Sequence, residues 1–456
     1  MRASLGSLES LPSDESEPDP TYRATLEWIW SFSARPRSAE QMAAQRAVKL
    51  ERMDALLAAL GRPERQFPAA LVAGTKGKGS TVAMLGACLT AGGFRTGRYT
   101  SPHLVNWRER TSINAELISA ADVVALTEPI RAVVDTLPAA LGPLTTFEVG
   151  TALTFLYFAQ RNIDVAVVEV GTGGRYDATN LVEPAVSVIT PVSYDHTLTL
   201  GSTLTSIAWH KAGIMRPGRA AVSAPQPDEA RLVIEHEAAA SRAPLEEVGR
   251  EWRWTRQAEF TRIESTHTDF EPLDVQINLI GDHQRDNATT SVAALHALRD
   301  RFPVGRDAIA LALRTVEWPG RLQVLSRQPL ILVDGAHNAA SAEVLRQAIE
   351  TNFEYERLLL VIGLTEGKDA LGVLGALTPD AHTIYLTRSR HERSAAPADL
   401  EPLIRETTRA EVSSLADARS ALQAALRSAS PRDLILVTGS LFLVGEALEW
   451  WRSSHP

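Results

Sequence analysis

Cysteine is nearly absent from this sequence: Cys88 is the single one among 456 residues. An internal disulfide is thereby excluded, and a reducing compartment fits best. Positive charge is in deficit too, since a formal net charge of −9 argues against a general nucleic-acid surface, which needs a basic field. No uninterrupted apolar run approaches the roughly 18 to 20 residues that cross a bilayer, and the start lacks a basic stretch followed by an apolar one. No membrane partner is expected, and a cytoplasmic monomer is the reading that follows. A tandem period of about 20 to 50 residues is also missing, which sets aside solenoids.

What is present is the balance of a globular protein, with 45% hydrophobic and 22% charged residues. The length implies about two or three domains, and two are expected. Residues 1–20, rich in Ser, Glu, Asp and Pro, read as a flexible tail. The run Trp318-Pro319-Gly320-Arg321 breaks the helical pattern and places a boundary there, giving units over 21–318 and 319–456.

The chain is organised around Leu71-Val72-Ala73-Gly74-Thr75-Lys76-Gly77-Lys78-Gly79-Ser80-Thr81. Apolar residues from Ala69 to Ala73 predict a buried parallel strand, glycines turn the chain, and Ser80 to Leu89 resumes a helical pattern. A helix N-terminus then faces the loop, and its N–H groups and dipole suit a polyphosphate that Lys78 can reach as a point charge. The spacing departs from the ordinary Walker form. Gly79 stands between Lys78 and Ser80, and Val72 occupies the leading glycine position.

Helices are expected over Thr21–Phe32 and Ala43–Leu60 before the loop, then over Asp122–Leu137, Phe147–Ala159, Ile207–Ile214 and His283–Leu298. Strands are expected at Thr96–Thr100, Asp164–Val170 and Val186–Thr190, with short antiparallel strands between Leu245 and Ile280. Beyond the boundary, Leu330–Val333, Leu358–Ile362, Thr383–Leu386 and Leu434–Val437 read as strands of a second α/β unit, with helices at Ala339–Ile349 and Leu415–Leu426. Polar residues cluster at the carboxyl ends of the first unit's strands: Ser101-Pro102-His103, Glu169, and Asp195-His196. Open α/β sheets bind ligands there.

These motifs, taken in order, resemble the folylpolyglutamate synthase and dihydrofolate synthase family of Mur-type ligases. The resemblance spans roughly 21–448 and rests on the loop, on Tyr99-Thr100-Ser101-Pro102-His103-Leu104, and on Glu169-Val170-Gly171-Thr172-Gly173-Gly174-Arg175 with Asp177-Ala178-Thr179-Asn180. It continues through Asp195-His196-Thr197, His210-Lys211-Ala212-Gly213-Ile214, Pro319-Gly320-Arg321, Asp334-Gly335-Ala336-His337-Asn338 and Thr438-Gly439-Ser440-Leu441. It implies an α/β protein in which a P-loop ATPase-like domain with a mostly parallel sheet, the ATP-binding central domain, precedes a smaller Rossmann-like glutamate-ligase domain. It also implies ATP, two Mg²⁺ ions, a folate or dihydropteroate and L-glutamate as the small molecules bound. Phosphorylation by ATP turns an inert carboxylate into an acyl phosphate that an amine can attack, releasing ADP and phosphate.

The resemblance also assigns residues. Thr75, Gly77, Lys78, Gly79, Ser80 and Thr81 would cradle the phosphates, with Asn287 on the adenine side, Arg321 and Asp334 as further ATP contacts, and His337 at the phosphate end. Ser101 and Glu169 would hold one metal ion, and Glu169 with His196 the second. Lys211 would be carbamylated and so become an anion that organises that second ion. Lys78, Lys211 and His337 are the catalytic candidates. Thr145, Phe147, Arg175, Tyr176 and Asp177 would line the pterin-bearing substrate. Lys76 and Ala339 depart from the family's usual asparagine and proline, and 32–46 matches poorly the stretch other members use near dihydropteroate. Polyglutamylation is therefore expected more firmly than dihydrofolate synthesis. A Mur-type ligase for a cell-wall precursor or storage polymer, and a nucleotide-hydrolysing switch, are the competing readings.

Overall fold

The computed structural model describes residues 14, 17–33, 48–367 and 369–455. Most of the expected tail and the segment 34–47 lie outside the described residues. Asp14, within that tail, accepts hydrogen bonds from the Trp107 N–H at 3.0 and 3.1 Å, and the first described helix starts at Pro20 behind an Asp19 cap.

A first sheet contains β1 (Ala69–Ala73), β2 (Thr96–Tyr99), β3 (Thr111–Ile113), β4 (Glu116–Leu117), β5 (Val165–Glu169), β6 (Pro184–Ile189), β7 (Ala220–Ser223) and β8 (Leu245–Glu247). Their order is β4-β3-β2-β5-β1-β6-β7-β8, with every pairing parallel except β2–β3 and β3–β4. Burial on both faces explains the continuous apolar strands. Ala69, Leu71 and Ala73 of β1 join one core with Ala166 and Val168, while Ala70 and Val72 join the opposite core with Val165 and Val167. The period of two thus divides every central strand between two helix layers. From β1 the chain runs to β2 on one side and later crosses from β5 to β6 on the other, so the loop after β1 lies at the topological switch point.

The stretch from 245 to 280 is only partly the antiparallel array expected. Leu245–Glu247 instead pairs in parallel with β7 and extends the main sheet. β9 (Trp252–Arg256), β10 (Thr261–Ser265) and β11 (Leu273–Val275) do form a small antiparallel sheet, and Trp252, Ile263 and Val275 bury it against the helix Asp282–Leu298.

The second large sheet has the order β12-β13-β17-β14-β15-β16. Its strands are β12 (Gln323–Arg327), β13 (Leu330–Val333), β14 (Leu358–Ile362), β15 (Ala381–Leu386), β16 (Glu411–Ser414) and β17 (Leu434–Thr438), all parallel except β12. Alternation again sorts Leu332, Leu360 and Leu436 to one core and Ile331, Val361 and Ile435 to the other.

One buried ion pair ties the helix Lys49–Ala59 to the helix Thr146–Gln160. Arg52 Nε lies 3.0 and 3.2 Å from the two Glu148 carboxylate oxygens, and Arg52 Nη1 donates to the Leu141 carbonyl at 3.0 Å. Glu148 also closes the capping box of its own helix, accepting from the Thr145 N–H at 2.8 Å and hydroxyl at 2.7 Å. Both side chains are buried, so removing one strands the other in a low-dielectric interior. Glu148→Ala is expected to cost about 3–5 kcal/mol in urea unfolding, and Arg52→Met with Glu148→Leu to recover most of that loss.

Candidate active site at the strand ends

Local sequence sets the shape of the phosphate loop. Gly74 adopts φ +146°, and a Cβ there would fall 1.8 Å from Thr190 Oγ1 of the neighbouring strand end. Gly77 caps the helix Lys78–Ala91 at φ +80°, where a Cβ would meet Asn287 Oδ1 at 2.4 Å. The helix therefore begins two residues before Ser80, at Lys78, and its first N–H groups face the loop. Gly79 has a different reason: a Cβ would lie 2.9 Å from the Trp318 indole, so the extra glycine admits the aromatic ring that precedes the Pro319-Gly320-Arg321 turn.

The loop is laced to the end of β6. Thr75 and Lys76 donate backbone N–H groups to the Pro191 carbonyl at 2.9 and 3.2 Å, and Thr75 Oγ1 bridges to the Ser193 backbone at 3.0 Å. The Thr75 hydroxyl thus serves the loop itself. His196 lies three residues past Ser193, with a left-handed backbone (φ 50°), a side chain about half exposed, and Nε2 3.9 Å from Asp195. On the other side the loop helix meets the helix Asp282–Leu298. Gln284 Nε2 donates to Ser80 Oγ at 3.3 Å, Asn287 Nδ2 to Gln284 at 2.9 Å, and Thr81 Oγ1 to Asn287 Oδ1 at 3.4 Å.

Three of the assigned residues meet at the carboxyl ends of β1, β2 and β5. Lys78 Nζ stands 3.9 Å from Glu169 Oε1, while Glu169 Oε2 accepts the Ser101 N–H at 3.1 Å. Burial pushes the Glu169 carboxyl above its ordinary value, against the pull of Lys78, the Ser101 N–H, Arg321 and Arg110. Lys211 is buried behind the loop and donates to the Gly74 carbonyl at 2.7 Å. Desolvation, reinforced by Lys78, lowers it to about 7 although Asp195 and Asp177 oppose the shift. Lys76 is also held low, at about 8, by burial.

The wall assigned to the substrate is more committed to the fold than the sequence suggested. Asp177 is fully buried and accepts from the Gly171, Thr172 and Thr179 N–H groups at 3.3, 3.0 and 3.1 Å, with Lys49 at 3.4 Å. Arg175 pairs with Glu237 and lies over the Trp209 ring at 4.0 Å. Thr145 caps its helix. Phe147 packs its ring against Gly171, where a Cβ would fall 2.4 Å away, and Lys49 Nζ stands 5.5 Å over that ring. Tyr176 is exposed beside His210.

From the second sheet, Asp334 accepts the Leu322 and Ala336 N–H groups at 2.8 Å each and so fixes the turn that carries Arg321. Burial raises Asp334, opposed first by Arg321. His337 Nδ1 sits 2.9 Å from the Gly335 carbonyl, which places the proton on that nitrogen. A cleft lined by Ser101, Glu169, Gly79, Trp318, Arg321 and Leu441 runs between the two sheets. Sequence reasoning missed Gln284 as the link to Ser80 and Trp318 as the cover of Gly79. The signal for Trp318 was present in the inserted glycine itself.

Comparison with known proteins identifies the two domains that carry this cleft. Residues 72–295 match the Mur ligase middle domain and 320–441 the Mur ligase glutamate ligase domain. The dihydrofolate synthase/folylpolyglutamate synthase of Bacillus subtilis is 33% identical over 407 residues, covering 87% of this chain and 93% of that protein. A probable bifunctional folylpolyglutamate synthase/dihydropteroate synthase of Halobacterium salinarum is 35% identical over 400 residues; 87% of this chain aligns, spanning 48%, or about half, of that protein. The structure of E. coli FolC in complex with DHPP and ADP superposes with a TM-score of 0.85 at 29% identity, covering 98% of this chain and 100% of that one. Both Mur ligase domains in order, on a fold shared from end to end, make this chain an ATP-dependent ligase that belongs to the folylpolyglutamate synthase/dihydrofolate synthase family.

Proposed function

We propose that the protein attaches L-glutamate to the carboxylate of a tetrahydrofolate, and of dihydropteroate as a second acceptor, through an acyl phosphate formed from ATP. The observation that carries this reading is the contact of Lys78, Glu169 and Ser101 at adjoining strand ends, facing a cleft that Arg321 enters from the other sheet. Division of labour follows the units 21–318 and 319–456, the first holding nucleotide and pterin and the second delivering glutamate.

In the first step a folate carboxylate oxygen attacks the γ-phosphorus, the bridging P–O bond breaks, and ADP leaves. The neutral amine of glutamate then attacks the acyl carbon, phosphate departs, and the nitrogen loses its proton to give the amide. Lys78 and the N–H groups at Gly77 to Thr81 hold the phosphates, and Asn287 flanks the adenine. Arg321, oriented by the turn that Asp334 braces, brings a planar cation to the polyphosphate from across the cleft, with His337 near the phosphate end.

Glu169 suits a hard cation: a buried carboxylate raised by desolvation, close to one lysine and one N–H, gains most from added positive charge. The Ser101 hydroxyl adds oxygen, and His196 is the third assigned donor. Two Mg²⁺ ions bound by this set would screen the phosphates and the charge developing during transfer. Phe147 and Tyr176 flank the pterin, while Asp177, Arg175 and Thr145 act as positioning residues that hold the wall in shape.

Incubation with ATP, Mg²⁺ and glutamate, offering tetrahydrofolate and dihydropteroate separately, should raise the acceptor mass by glutamyl increments in each tube. Phosphate release that is as fast without acceptor and amine would instead mark a hydrolytic switch. Lys78→Ala should lower kcat by about 10²–10³ while the melting temperature is held, since its charge is needed most when phosphate charge is redistributed.

Lys211 provides the pH-dependent arm. Its pKa near 7 leaves the neutral amine dominant above that pH, where nitrogen attacks CO₂ and releases a proton to form a carbamate. Carbon-13 NMR with labelled bicarbonate should give a carbamate signal that grows from pH 6 to pH 8.5, and Lys211→Ala should lose it. An unchanged spectrum in the variant would remove Lys211 as the modified residue.

A further inference from the structure

Away from the nucleotide cleft, Glu246, His267 and His296 bring one carboxylate oxygen and two imidazole nitrogens within 4.8 Å of one another. The three come from separate places: Glu246 from β8, His267 from the loop after β10, and His296 from the last turn of the helix Asp282–Leu298. The geometry points to a site for a divalent transition metal of the Zn²⁺ class, which would staple the small antiparallel sheet to the main sheet and to that helix.

Several observations converge on a cation here. Nε2 of His267 and Nε2 of His296 are both buried and make no hydrogen bond, although His267 Nε2 is 3.2 Å from Glu246 Oε2. His296 is more than nine-tenths buried and its Nε2 is 3.3 Å from Asp269 Oδ1. Tetrahedral zinc with bonds of about 2.0–2.1 Å separates its donors by about 3.3–3.4 Å, so the His267–Glu246 pair is already at coordination spacing and His296 is within 4.8 Å of both. Two imidazoles whose ring centroids lie 4.7 Å apart, facing carboxylates without aligned hydrogen bonds, are unusual unless something is to sit between them.

The surroundings supply the outer support such a site needs. Trp252 Nε1 donates to Glu246 Oε2 at 2.6 Å and fixes the carboxylate, and the same indole packs on His267 and His296 at 5.8 and 5.3 Å. Asp269, more than half exposed, lies beside His296 on the outer side of the triad. Arg299 pairs with its other oxygen at 3.0 Å, and its chief contact with His296 is to the backbone carbonyl at 2.7 Å. Nitrogen donors disfavour Mg²⁺ and favour zinc, which separates this site chemically from the oxygen-rich strand ends. Asn287, in the network with Thr81 and Gln284, lies nine residues before His296 on the same helix, about 13 Å along its axis. Metal binding would therefore stiffen the helix that backs the phosphate loop.

The test uses the full chain, dialysed against Zn²⁺ with Mg²⁺ and ADP in large excess, followed by metal analysis, and a parallel sample loaded with Co²⁺. One zinc per chain and a tetrahedral cobalt spectrum are expected. Glu246→Gln and His267→Gln should each lose affinity beyond the ~10–100-fold typical of outer-shell changes. Zinc should raise the melting temperature of the parent and not of the variants, whose unliganded melting temperatures report whether they fold. Failure of the parent to retain zinc, retention undiminished in both variants, or an octahedral cobalt spectrum would each overturn the site.

Discussion

Everything at the strand ends depends on charge held out of water. Lys78, Lys211 and Glu169 converge where β1 and β5 finish, and each is largely or wholly withdrawn from solvent. Two ammonium groups so placed repel, and this repulsion adds to desolvation in lowering Lys211. Glu169 relieves only part of this, since its own burial disfavours the anion. A pocket lined by the buried Lys78 ammonium and by backbone N–H groups favours an anion over a cation, and that preference is built into the fold. The parallel sheet makes such a pocket attainable because its strand ends and the following helix present backbone N–H groups in the same direction.

What the sequence disclosed follows from where each strand lies. Central strands such as Ala69–Ala73, Val165–Glu169 and Leu434–Thr438 are buried on both faces and read as unbroken apolar runs, so they were legible. Gln323–Arg327 and Glu411–Ser414 form sheet edges, half exposed and mixed in polarity, and gave no such run. Leu245–Glu247 misled in another way. Three residues with two glutamates do not announce a parallel strand, and only its pairing with Ala221–Ser223 does.

The site was legible at the level of residue type and less so at the level of duty. Glycine, lysine and carboxylate at strand ends point to phosphate chemistry whatever their partners. Spacing does not say whether Asp177 faces a ligand or, as found, gathers three backbone N–H groups of the turn after β5. Nor does it say that the Thr75 hydroxyl is used by Ser193. Acceptors this well satisfied act by holding a shape. Polar side chains in tight turns often satisfy the backbone first, since an unpaired buried N–H costs more than most contacts gain.

Gly79 shows how the phosphate loop is joined to the far sheet. Any side chain there would collide with Trp318, and Trp318 opens the turn that ends in Arg321, whose orientation is set by the Leu322 and Ala336 N–H groups on Asp334. The indole therefore transmits the position of the loop helix to the cation facing Glu169 across the cleft. A side chain at position 79 would displace the ring, tilt the turn and withdraw Arg321 while leaving Lys78 and its partners in place. The residue inserted into the ordinary loop spacing is thus the point where the loop helix packs directly against the turn that carries Arg321.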